Sequence, residues 1–387
     1  MHNKDRTLLE ISNLRTNFYT YEGVVKALGG VNLSMNEGDT LGVVGETGCG
    51  KSVTVFSILR LIPSPPGKVI DGKAMFEGRD LLKISEKEMR KIRGGKISVI
   101  FQQPTTSLNP VFKIGDQIAE AIELHQNLNP DALNVKIERL LARKNLLNKM
   151  RLGFIARILG LDRQIARAKL ESTLENPSEQ SKKDKHIAAY RKAVKMLDLA
   201  GVPDPERIAN EYPHQLSGGM QQRAMIAMAL ACDPVLLIAD EPTTSLDVTI
   251  QAQILELIKG LRKRIGMSIL LITHNLGLVA EMCNKVAVMY AGRIVEYADV
   301  NTIFKNMQHP YTKGLFKAIP RITENQDRLY SLAGSVPNLI NPPTGCVFHP
   351  RCEYIVGDIC KNKIPEPIEI EKGHLVSCFR FGKKEEG

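Results

Sequence analysis

The sequence predicts an α/β fold built on a parallel β-sheet, and three stretches of the 387-residue chain carry that prediction. "TLGVVGETGCGKSVTVFSILRLI" (residues 40–62) runs from a short apolar segment through a glycine-rich turn into a helical pattern. "PVLLIADEP" (234–242) is an apolar strand that ends on two carboxylates, and "LLITHNLG" (270–277) is another that ends on a histidine. Continuous apolar strands of this kind are buried on both faces, as the strands of a parallel sheet are.

Composition sets the bounds. Hydrophobic residues at 43% and charged residues at 24% exclude a disordered or fibrous chain, and the length exceeds what one hydrophobic core serves, so two or three domains are expected. No apolar run approaches the roughly 20 residues that cross a bilayer. The N-terminus, "MHNKDRTLLEISNL", lacks the apolar core and cleavage site of a secretory signal. A cytoplasmic setting follows, in which clustered cysteines bind metal rather than pair. The net charge of +10 is concentrated, since residues 131–195 hold 16 Lys and Arg against 7 Asp and Glu.

The glycine-rich turn matches GxxxxGKS, a Walker A loop. Gly45, Gly48 and Gly50 allow a tight turn whose N–H groups converge with a helix N-terminus on phosphate oxygens. Lys51 supplies a charge to the β- and γ-phosphates and Ser52 a hydroxyl to Mg²⁺, while Cys49 and Val53 belong to the same nucleotide-binding run. Asp240 fits the Walker B role, holding the Mg²⁺ hydration shell, and Glu241 is placed to polarise the attacking water as general base. ATP and Mg²⁺ are thus the expected ligands.

"LSGGMQQR" (216–223) narrows the class. With it, the chain resembles the ATP-binding subunits of ABC transporters. That resemblance implies that Ser217, Gly218 and Gly219 open a helix serving the γ-phosphate of ATP on an opposite subunit, so that hydrolysis needs a dimer. It also implies a Q-loop in "IFQQPTTSLNP", with Gln102 sensing Mg²⁺ and the attacking water; a D-loop in "SLD", with Asp247 facing across the dimer; and a switch histidine, His274, at the γ-phosphate. For adenine stacking Phe18 fits the family spacing, with Tyr19 and Tyr21 as alternatives in "NFYTYEG".

"HPYTKGLFKAIP" (309–320) and "GSVPNLINPPTGCVFHPRC" (334–352) resemble the C-terminal extension of dipeptide, oligopeptide and nickel importer ATPases. The implied assembly has a second, related ATPase in a heterodimer, two transmembrane permease subunits and an extracytoplasmic solute-binding protein. The implied place is peripheral, on the cytoplasmic face of the inner membrane. Cys346, Cys352, Cys360 and Cys378 lack the CxxC pairing of a zinc ribbon. Irregularly spaced thiolates also suit an iron–sulfur cluster, and the resemblance implies [4Fe–4S], with zinc or free thiols as alternatives.

The segment 127–195 is longer than the family pattern requires and reads as added helices bearing Lys and Arg. It is either a solvated hairpin, a subunit-docking face, or a surface against anionic lipid. A soluble ABC-type ATPase acting on nucleic acid or ribosomes is the competing class. It is disfavoured by the single ATPase core and the importer-type extension, so no nucleic-acid partner is expected. A nickel-chelate importer remains an alternative for the substrate. A non-hydrolysing regulatory subunit is disfavoured by Lys51, Asp240, Glu241 and His274. The expected organisation is an ABC-type P-loop ATPase core over 1–105 and 233–300, with an N-terminal antiparallel β region. An enlarged helical subdomain over 106–232 and a small cysteine-rich extension over 301–387 complete it.

Overall fold

A computed structural model describes residues 6–382 apart from 103–106, 151, 153, 154, 156, 158, 173, 175–178, 244–246, 319–331 and 333. The chain divides into two units, one of Met1–Arg93, Val235–Thr244 and Ile258–Gly387, the other of Gly94–Pro234 and Ser245–Leu257. In chain order the strands are β1 (Thr7–Thr20), β2 (Gly23–Asn36), β3 (Thr40–Val44), β4 (Gly67–Phe76), β5 (Arg79–Asp80), β6 (Ile97–Ile100), β7 (Leu236–Asp240), β8 (Ser268–Thr273), β9 (Lys285–Tyr290), β10 (Arg293–Asp299), β11 (Ile368–Glu371) and β12 (His374–Val376). All but β6 lie in the first unit.

Within the first unit, β1 pairs antiparallel with β2 and with β4, in the order β2-β1-β4-β5. The alternating burial along "TLLEISNLRTNFYT" is what a sheet with one buried face requires. The second sheet runs β11-β12-β10-β9-β3-β8-β7. Its centre is parallel, with β3 between β8 and β9 and β7 beside β8. Every residue of β3, β7 and β8 is buried, which explains why these stretches are apolar without alternation.

The parallel centre continues into an antiparallel edge. β10 pairs with β9 and β12, and β12 with β11. Residues near the C-terminus thus finish the sheet that holds β3, β7 and β8 instead of building a core of their own, and they cover an edge that would otherwise be exposed.

The second unit is helical. Ile114–His125, Lys182–Leu199 and Gly218–Leu230 share a core that includes Ile118, Ile122, Ala189, Ala193, Leu197, Ala224 and Ala227. The small residues permit close approach: a Cβ on Gly115 would stand 2.6 Å from the Tyr190 ring. Residues 127–195 contain the helices Asn129–Lys149 and Leu161–Glu171 and most of Lys182–Leu199. Ion pairs Arg191–Glu138 and Lys192–Asp131, each at 2.7 Å, join the first and last of these. Arg139–Asp184 does so as well, and Lys144–Asp162 links the first to the second. Part of the basic charge of residues 127–195 is therefore matched within that segment.

Candidate functional site

The phosphate loop forms where β3 ends and the helix Lys51–Ile58 begins. Glycine is required at two points. A Cβ on Gly45 would lie 2.2 Å from the Met289 carbonyl oxygen, and Gly50, the residue before the helix, adopts φ +108° beside the Ala27 carbonyl oxygen. The helix N-terminus has no side-chain cap, so its first N–H groups are left for a ligand. Lys51 is buried, and its Nζ donates to the carbonyl oxygens of Gly45 at 2.8 Å and Glu46 at 3.1 Å. Its charge is thereby held inside the loop. Cys49 is buried beneath it, with its thiol pKa pushed up by that burial. Val53 is half-buried in the first helical turn.

β7 delivers Asp240 to the same place. Its carboxylate is hydrogen-bonded to Ser52, and burial raises its pKa, with the Ser52 bond opposing. Asp240 Oδ1 is buried without a hydrogen-bond partner among the described residues. An orphaned carboxylate oxygen beside a hydroxyl is a donor set that suits a hard divalent cation, so Ser52 and Asp240 fit Mg²⁺.

Glu241 follows with φ +48°, a left-handed conformation unfavourable for a side chain of this size. Its N–H donates to the Ile272 carbonyl oxygen at 2.8 Å, and its carboxylate meets His274 Nδ1 at 2.8 Å. The two side chains form a pair at the ends of β7 and β8, with His274 exposed and Glu241 mostly covered. Lys51, Ser52, Asp240, Glu241 and His274 are thus all supplied by the first unit.

Of the other expected residues, Gln102, Ser217, Gly218, Gly219 and Asp247 lie on the second unit, and Phe18, Tyr19, Tyr21 and the four cysteines on the first. Ser217 caps the helix Gly218–Leu230 by accepting from the Met220 N–H, and Ser217 and Gly218 are exposed. Among the described residues, nothing beyond its chain neighbours and its own helix backbone stands within 4 Å of where a Gly218 Cβ would be, which leaves this helix start open to approach. Asp247 is exposed, and its Oδ1 accepts from the Ile250 N–H at 2.9 Å. Gln102 is exposed just beyond β6. Gln103 to Thr106 of the Q-loop and Ser245 and Leu246 of the D-loop lie outside the described residues. Phe18 is half-buried in the β1 pairing, close to Gly67, while Tyr19 and Tyr21 are exposed.

The four cysteines of the extension carry free thiols. The Cys346 N–H donates to the Cys360 carbonyl oxygen at 2.9 Å. Cys352 Sγ accepts from the Tyr354 N–H and Cys360 Sγ from the Val356 N–H, each at 3.4 Å. Burial pushes the Cys346 thiol up to about 11, and the charges of Cys378, Cys360 and Cys352 push in the same direction. Among the described residues no three His, Cys, Asp or Glu side chains stand in a metal-holding group. The expected four-cysteine centre is therefore not assembled among the described residues, although the N–H donors to the sulfurs of Cys352 and Cys360 are of the kind that a thiolate-held centre uses.

The motifs give no hint of contacts that join the extension to the phosphate loop. Arg351 pairs with Glu46 across 305 residues of sequence, and Tyr311 receives the Glu46 N–H across 265. The arginine of "HPRC" and the tyrosine of "HPYT" were available as signals, but their common target was not.

A family model described as ABC transporter matches residues 28–244. Another, described as oligopeptide/dipeptide transporter, C-terminal region, matches residues 295–360. The chain is 46% identical over 374 residues to a probable peptide ABC transporter ATP-binding protein of Sinorhizobium fredii, covering 96% of this chain and 95% of that one. It is 41% identical to the dipeptide transport ATP-binding protein DppD of Bacillus subtilis, covering 96% and 94%. With the oligopeptide transport ATP-binding protein OppD of the same organism it shares 44% identity, covering 96% and 88%. Among solved structures, a dimeric ATP-binding cassette in a post-hydrolysis state bound to ADP and Pi superposes with TM-score 0.53. That match has 24% identity and covers 76% of this chain and 99% of the other, a likeness of fold.

Proposed function

The chain belongs to the ABC transporter family as an ATP-binding subunit of the oligopeptide/dipeptide type, and on that premise we propose that it hydrolyses ATP to drive peptide import through a membrane permease. The observation that carries the reading is the joint placement of Lys51, Ser52, Asp240, Glu241 and His274 at one end of the parallel sheet. The extension match and the peptide relatives supply the substrate class.

The chemistry follows from these residues. The loop N–H groups and Lys51 bind and orient the phosphates. Ser52 and Asp240 would hold Mg²⁺, which supplies charge neutralisation to the transferred phosphoryl group. Glu241 takes a proton from the attacking water, and His274, already against its carboxylate, fixes that side chain and reaches toward the γ-phosphate. Gln102 reads the bound nucleotide, and Phe18 stacks on adenine. Ser217, Gly218, Gly219 and Asp247 serve ATP held by an opposite, related subunit. ATP binding closes the pair and hydrolysis reopens it, shifting two permease subunits between states. A solute-binding protein outside the membrane selects the peptide, while this chain acts from the cytoplasmic face. Among the described residues no helix is long and apolar enough to cross a membrane.

Cys346, Cys352, Cys360 and Cys378 would hold a [4Fe–4S] cluster, which ties the irregular segments of the extension together. The basic parts of 127–195 enlarge the helical subdomain.

Phosphate release by the assembled transporter tests the ATPase assignment. Glu241→Gln should lower turnover by about 10²- to 10⁴-fold while leaving ATP binding intact. Sustained turnover in that variant would remove Glu241 from the role of general base.

A further inference from the structure

Three separate groups of Glu46, inside the phosphate loop, are held at once. Its carbonyl oxygen accepts from Lys51. Its N–H donates to Tyr311 Oη at 3.0 Å. Its carboxylate accepts from both ends of the Arg351 guanidinium, Nη1 to Oε2 at 2.8 Å and Nη2 to Oε1 at 3.1 Å. Two of the three holds come from the C-terminal extension.

The holding groups are themselves fixed. The Arg351 side chain is 7% exposed, and its Nη1 also donates to Tyr290 Oη at 3.3 Å. Tyr311 is fully buried. Its ring lies 4.6 Å from that of Tyr290 and 5.5 Å from that of Phe348, with Tyr290 and Phe348 5.2 Å apart. A bidentate guanidinium–carboxylate pair mounted on a packed aromatic cluster has one geometry and little freedom to leave it.

We propose that the extension sets the ATP affinity of the phosphate loop by gripping Glu46, with Arg351 and Tyr311 as positioning residues. This rests on the reading that the loop binds ATP. Glu46 places a carboxylate in a loop built for a polyanion, where an unmatched negative charge repels the incoming phosphates. Arg351 matches that charge and directs it away. Tyr311 holds the Glu46 peptide in one orientation, so the neighbouring loop N–H groups are set before nucleotide arrives, which is preorganisation rather than chemistry. The effect belongs in the KM for ATP and not in kcat.

The test uses the full chain in its assembled transporter, with steady-state phosphate release and a thermal melt for each variant. Arg351→Gln should raise the KM for ATP about tenfold with kcat within about twofold of wild type. Adding Glu46→Gln to the same chain removes the unmatched carboxylate and should bring KM back to within about threefold of wild type. Tyr311→Phe keeps the ring and removes the acceptor, and should raise KM about threefold. A purely structural contact would lower the melting temperature without this rescue. An unchanged KM in Arg351→Gln, or a double variant no better than the single one, overturns the proposal. If Arg351→Gln does not fold, Tyr311→Phe decides, with a wild-type KM overturning the proposal. Absence of ATP turnover in the wild-type transporter would instead overturn the functional reading itself.

Discussion

Glu241 occupies a left-handed backbone conformation, φ +48°, that costs a side chain of its kind about 1–2 kcal/mol. The cost is sustained by the N–H bond to Ile272 and by the meeting of its carboxylate with His274. The strain turns the chain between Asp240 and Glu241, so one carboxylate faces Ser52 and the next faces His274. A second residue-scale feature is His309, fully buried, whose Nδ1 accepts the Tyr311 N–H. Its own N–H donates to Glu296, and Phe348 packs on its ring. Burial lowers the imidazole pKa from 6.5 to about 3. The unfolded chain therefore binds a proton at this site through a pH range in which the folded chain does not. The sign follows: this contribution to stability is complete above about pH 6.5 and is lost progressively as pH falls toward 3. The urea midpoint should fall between pH 7 and pH 4.5, and His309→Asn, which retains a helix-capping side chain, should flatten that slope. An identical slope in the variant would show that other groups carry the acid sensitivity.

At the scale of elements, the sequence was most informative where function is local. The phosphate loop, β7 and β8 read directly, because each places its chemistry within a few residues of a continuous apolar strand. The helix opened by Ser217 read equally well, since a serine before two glycines is both a cap and an open N-terminus. The extension did not read this way. β12 joins β10 through Glu296 opposite Val376 and Tyr297 opposite Leu375, pairings that no periodicity in three residues can announce. The buried pair His374–Glu296, at 2.8 Å, and the bonds from Gln308 and His309 N–H groups to the same carboxylate complete the attachment. Phe18 was likewise identified by spacing alone, and the pairing of β1 leaves Tyr19 and Tyr21 with more ring surface in solvent. The proposed cluster belongs to this scale, because its four cysteines come from separate segments, one of them the end of the 3₁₀ turn His349–Arg351 at Cys352. Anaerobic purification should yield about four irons and four sulfides per chain. Stoichiometric zinc, or no metal, would rule out the cluster.

For the whole molecule, the division of labour between the two units follows the chemistry. The first supplies the loop, the proposed cation ligands Ser52 and Asp240 and the Glu241–His274 pair, whereas the second presents Ser217, Gly218 and Asp247 on exposed surface. In the proposed function these exposed residues serve nucleotide held by a partner subunit, which is why the account requires one. The sequence made this partition visible as an order of motifs, but the docking of the extension on the loop through Arg351 and Tyr311 emerges only when residues far apart in the chain are seen together. Uptake of a labelled peptide into proteoliposomes holding the assembled transporter and its solute-binding protein tests the central claim most directly. The account predicts accumulation that requires ATP on the side of this chain and is abolished by Lys51→Ala. Peptide uptake that proceeds without ATP, or that survives Lys51→Ala, would contradict it.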